Sequence, residues 1–113
     1  MSAGTTRDRF LQDPVPIRLG NLASNLSRIE TFSDLDLDHS AVAGVIEESL
    51  HFVEWTAPDV DPSSTRILSD LSADLQRWQG MLAEQLRDPA ARRQMADQAG
   101  AWSERLLKVA GLI

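Results

Sequence analysis

The chain has no cysteine and no tyrosine, and of its eleven basic residues only Lys108 is a lysine. Without cysteine there is no disulfide scaffold, zinc finger, iron–sulfur ligation, thiol redox step or cysteine nucleophile. No apolar run approaches the roughly 18 residues of a membrane span. The stretch Met1–Gln12 lacks the apolar core of a signal peptide, so a cytoplasmic, soluble protein is expected. Seventeen acids against the eleven bases leave a net charge of −6. That balance argues against nucleic-acid binding, because phosphate contacts need clustered Lys and Arg. Phosphate-loop, dinucleotide-binding, zinc-protease and nucleophile-elbow signatures are all missing. Asn25-Leu26-Ser27 matches a glycosylation acceptor, but it falls inside a helical pattern and has no secretion signal to give it meaning.

At 113 residues the chain is the size of one domain and can bury about two thirds of its unfolded surface without a metal or crosslink. Residues 1–12 read as a flexible N-terminal arm and residues 13–113 as the domain. Asp precedes Pro at Asp13-Pro14, Asp61-Pro62 and Asp88-Pro89. An Asp cap accepts otherwise unpaired backbone N–H groups, and Pro at the first helical position supplies the right φ. A further start falls near Asp38 or Ser40, Pro58 closes the helix before it, and Gly111 stands where a left-handed terminal glycine belongs.

Between these marks the apolar period is helical. Leu19, Leu22, Leu26 and Ile29 mark a segment over about residues 16–32. Val42, Val45, Ile46, Leu50, Phe52 and Val53 mark another over about 39–57. Leu68, Leu71, Leu75, Trp78, Leu82 and Leu86 form a seam over about 62–87, and Met95, Ala99, Trp102, Leu106 and Val109 one over about 89–110. Four amphipathic helices with short connections predict an all-α fold, a four-helix up-down-up-down bundle, with the third and fourth helices as antiparallel neighbours.

Two patterns hint at metal chemistry and fall short of it. Glu48-x-x-His51 has di-iron spacing, but such a site needs a second pair and two more inward carboxylates; His51 lies about 180° from Val42, away from the core line. A di-metal or other enzyme is therefore the third reading of function. Asp34, Asp36 and Asp38 alternate as in a calcium loop, yet the required Gly and the bidentate Glu are replaced by His39 and Val45, and capping or turn formation is the simpler use. No catalytic, cofactor-binding or metal residue is assigned.

Trp55 sits about 140° off the core line of its helix, beside Glu48 and His51. It reads either as an interface anchor or as a cover over the Pro14-Val15-Pro16 entry strand or a helix end. Trp78 and Trp102 lie on their seams and read as core. Gly44, Gly80 and Gly100 interrupt helical patterns at about 1 kcal/mol each relative to Ala. Gly80 belongs to a stripe of short, uncharged residues, Ser69, Ala73, Gln76, Gly80 and Ala83, with a weaker counterpart in Ala96, Gly100, Ser103 and Leu107. Such a strip lets another helix approach closely, which favours self-association. Charge is uneven as well: residues 39–61 hold five acids and no Lys or Arg, while residues 89–113 hold four bases and two acids. The two segments either complement one another within the domain or orient a partner.

Asp13-Pro14-Val15-Pro16-Ile17-Arg18-Leu19-Gly20-Asn21-Leu22, Glu47-Glu48-Ser49 with Glu54-Trp55-Thr56-Ala57-Pro58, and Ala101-Trp102-Ser103-Glu104-Arg105 together resemble a family of short, uncharacterised all-helical proteins from photosynthetic bacteria. The resemblance spans about residues 13–113. It implies a helical fold and a cytoplasmic, photosynthesis-lineage protein, and it implies no activity or catalytic residue. The leading expectation is a non-enzymatic interaction module, a homo-oligomer (dimer) or a docking platform for a protein partner, using Trp55, Glu48 and His51 as one surface and Ala73, Gly80 and Ala83 as another. The alternative is a bundle that holds a small apolar ligand or pigment between helices, near Trp78 and Trp102.

Overall fold

The computed structural model describes residues 3–34 and 39–113. Six α-helices follow one another: α1 (Ala3–Gln12), α2 (Val15–Asp34), α3 (His39–Thr56), α4 (Pro62–Gly80), α5 (Leu82–Arg87) and α6 (Pro89–Ala110), with a 3₁₀ turn over Ala57–Asp59. The fold is all-helical, with no strand among the described residues. No described helix is long and apolar enough to cross a membrane.

The apolar seams define the core. Leu19, Leu22, Leu26 and Ile29 of α2, Val42, Ile46 and Val53 of α3, Leu68, Leu71, Leu75 and Trp78 of α4, Leu82 of α5, and Met95, Ala99, Trp102 and Leu106 of α6 form one buried cluster. Their three- and four-residue spacing keeps each stripe facing inward. Ala57 lines one recess together with Thr65 near the start of α4, and Leu50 lines another with Gln79 near its end, so α3 and α4 run in opposite directions.

α6 lies chiefly on α2, and small residues allow the approach. The Ser103 hydroxyl donates to the Ala23 carbonyl at 2.8 Å, and Ala23 and Ala96 are fully buried. A Cβ on Gly100 would run into the Glu30 carboxylate. The stripe Ala96, Gly100, Ser103 and Leu107, expected as a weak outer strip, is thus a contact within the chain. α6 touches α4 through fewer groups, chiefly Trp102 and Gln98.

Helix ends follow the expected chemistry at two of three Asp-Pro pairs. Asp61 accepts from the Ser64 N–H at 2.8 Å and Asp88 from the Ala90 N–H at 3.1 Å. At the first pair, the Pro14 carbonyl accepts from the Arg18 N–H at 3.1 Å. The helix therefore starts one residue later than the sequence pattern implies, with Pro14 rather than Asp13 at the cap. Gly111 takes the left-handed conformation, φ 75°. The Leu112 N–H returns to the Leu107 carbonyl at 2.9 Å, the double-bonded helix end that glycine permits.

Two further features of the helices bear on the expected organisation. Residues 1–12, read as a flexible arm, hold helix α1 from Ala3 to Gln12. The expected single helix over 62–87 divides at Met81, whose backbone (φ −122°, ψ 18°) leaves the helix just after Gly80. Gly80 therefore ends a helix rather than interrupting one, and Leu82 is still buried in the core. Asp36 and Asp38 of the expected acidic turn lie outside the described residues.

Candidate interaction surfaces

Helix α3 carries different chemistry on its two flanks. On one flank it meets α1. Phe10 is buried, with its ring stacked on Phe52 at 4.3 Å between centroids and tilted against Trp55 at 5.6 Å. Trp55 also lies parallel to the His51 imidazole at 5.5 Å. The off-seam tryptophan is therefore half-buried, with part of its ring against Phe10 of α1. The signal was in the sequence: Phe10-Leu11 is an apolar pair in an otherwise polar stretch.

Beside this aromatic cluster lies an open surface groove of about 310 Å³, lined by Gly44, Glu47, Glu48, His51, Phe52 and Trp55, with Thr6 on its α1 side. Trp55, Glu48 and His51 are thus brought together as the wheel implied. Glu48 is also held from below: the Asn25 side-chain amide, 2% exposed, donates to its Oε1 at 3.0 Å, and Arg28 donates to the Asn25 oxygen at 3.4 Å. Gly44 forms the open floor, since a Cβ built there meets nothing within 4 Å.

On its other flank α3 faces α4 across two adjoining recesses of about 610 and 410 Å³. Leu50, Val53 and Leu68 supply their apolar surface, and Ser69, Ser72, Ala73 and Gln76 of α4 form the opposite wall. Ala73, Gly80 and Ala83 are all exposed. The helix break places Gly80 and Ala83 on separate helices, so the expected stripe is continuous only from Ser69 to Gly80. Met81, 47% exposed, stands at its end.

A third groove, of about 390 Å³, lies between α4 and α6 around Asp74, Arg77, Gln98, Trp102 and Arg105. The Trp102 indole N–H donates to Asp74 Oδ2 at 2.8 Å, Arg77 pairs with Asp74 Oδ1 at 2.9 Å, and the Arg105 guanidinium lies 5.0 Å above the Trp102 ring. These polar groups satisfy one another. Trp78, the other residue expected beside an apolar ligand, is 1% exposed within the core.

Arg18 fixes the junction that orients α1. Buried at its root, it donates to Asp59 at 2.7 Å, to the Asp13 carbonyl at 2.8 Å and to the Leu11 carbonyl at 3.3 Å. One side chain thus ties the α1–α2 turn to the 3₁₀ turn after α3, and the planar guanidinium suits three acceptors at once. No group of three or more His, Asp or Glu residues suited to a metal ion occurs among the described residues. No family model, curated protein or solved structure matches the chain.

Proposed function

We propose that the chain is a non-enzymatic interaction module: a four-helix bundle of α2, α3, α4 and α6 that associates with a second copy of itself through the outward face of α4. The observation that carries this reading is the α3–α4 groove, with an apolar floor and a wall of short side chains. Every residue of the stripe Ser69, Ala73, Gln76 and Gly80 is exposed, and none is charged. A solvated helix face of this length ordinarily carries Lys and Glu. Short side chains let the backbone of a partner helix come close, and a two-fold axis beside α4 would set the stripe of one copy against that of the other. Gly80 leaves open space where a Cβ would be, and Met81 adds a flexible apolar contact at the stripe's end.

Light scattering at high micromolar concentration tests this. The expected mass is twice the 12.5 kDa of one chain. Ala73→Arg places a charge at an exposed position and should return the protein to one chain's mass with its helical circular dichroism intact. A strictly monomeric wild type overturns the reading.

A further inference from the structure

The α1–α3 groove is a separate surface from the α4 face and asks for a different occupant. Its walls are the rings of His51, Phe52 and Trp55, and its mouth carries the carboxylates of Glu47 and Glu48. The whole stretch from residue 39 to 61 holds five acids and no Lys or Arg. Arg28, the base tied to Asn25, lines a neighbouring recess of about 240 Å³ rather than this one.

Aromatic faces and carboxylates together select one kind of guest. A ring face attracts a cation through its quadrupole, most of all when the cation is partly desolvated. A carboxylate pairs with it by charge. The guanidinium group satisfies both at once, because it stacks flat on a ring while its N–H fork meets a carboxylate. A volume of about 310 Å³ accommodates one such side chain with a little of its backbone, and the missing side chain at Gly44 is what leaves the floor free.

We propose that this groove receives an arginine side chain presented by a segment of a partner protein. The proposal extends the interaction-module reading to a second face and does not depend on self-association, so a monomeric wild type would leave it standing.

Calorimetric titration of the full chain with the peptide acetyl-Ala-Arg-Ala-Arg-Ala-amide tests it. The same peptide with citrulline in place of arginine keeps the shape and removes the charge, and should bind at least about tenfold more weakly. Gly44→Leu fills the floor of the groove on an exposed helix position, where leucine is a better helix former than glycine. It should weaken the arginine peptide by about tenfold or more while the melting temperature holds or rises. Glu47→Gln, at an exposed side chain, should weaken it several-fold and flatten its salt dependence. No heat of binding at millimolar peptide overturns the proposal, as does equal binding of the citrulline peptide or an affinity untouched by Gly44→Leu. Arginine amide binding as tightly as the peptide would overturn the assignment of a protein segment in favour of a free small cation.

Discussion

Phe10→Ala is expected to release α1 while leaving the other helices folded. Phe10 is 6% exposed, yet it stands outside the contiguous core, with its ring packed on Phe52, which borders that core, and on Trp55. Burying a phenylalanine contributes about 1.5–3 kcal/mol, and ring stacking adds about 0.5–1.5 kcal/mol. Truncation therefore removes roughly 2–4.5 kcal/mol of docking energy. A helix of ten residues is shorter than the ~12–15 at which an isolated helix is even marginal in water, and fixing each backbone residue costs about 1–2 kcal/mol. With its anchor gone, α1 has too little to offset that ordering. Arg18 still holds the carbonyls of Leu11 and Asp13, so the release stops at the α1–α2 turn. Hydrogen exchange followed by mass spectrometry reads the outcome segment by segment. Amides of residues 3–12 should lose protection, and those of α2 and α6 should keep theirs. Protection lost alike across α2, α3 and α6, or retained in α1, would refute the reasoning that α1 is a separately docked element.

Two further outcomes follow from single polar contacts. Asp74→Ala strands the indole N–H of Trp102, a residue only 9% exposed, and should cost about 1–3 kcal/mol; Asp74→Asn retains an acceptor oxygen and should cost less, both read as midpoint shifts at constant slope in urea. The Asp61 carboxyl is held below its ordinary value of 3.8, first by its hydrogen bond from Ser64. A carboxylate with a depressed folded pKa contributes stability above its unfolded pKa and loses it as pH falls through the folded one. The melting-temperature gap between wild type and Asp61→Ala should therefore be present at neutral pH and narrow progressively below about pH 4; a gap that widens on acidification would contradict the sign.

The buried seams were legible because periodicity reports which face of a helix is apolar: Leu19, Leu22, Leu26, Leu68, Leu71, Leu75 and Leu82 all land in the core, while Leu50 is partly buried at its edge. What periodicity does not report is which helix a small residue meets. Gly44 and Gly100 look alike in sequence, both inside helical patterns; in space one faces open solvent and the other the Glu30 carboxylate. The break at Met81 was hidden because the seam resumes in register at Leu82, so the apolar pattern ran through a backbone that does not. For the aromatic site, the wheel placed Glu48, His51 and Trp55 on one face, and the structure sets them together around one groove. The missing member was Phe10: the Phe10-Leu11 pair marks an apolar spot in a polar stretch but gives no period that says what it packs against. Asn25 was missed for a related reason: its reach to Glu48 joins helices 23 residues apart in the chain.

The placement of short side chains decides which helix is left with an open face. On α2 and α6 the short side chains of Ala23 and Ser103 meet, so the two backbones draw close. On α4 the core seam of Leu68, Leu71, Leu75 and Trp78 points inward, while the short side chains occupy the outward face. α4 accordingly makes lighter contact with α6, bridged by Asp74, Arg77, Trp102 and Gln98, and a groove opens along its α3 edge. Filling that groove from within would require larger residues at Ser72 or Ala73. A partner can fill it only if those residues stay small, because bulk there would hold the second backbone away. The same property thus closes one helix pair inside the chain and leaves the other ready to close against a second molecule.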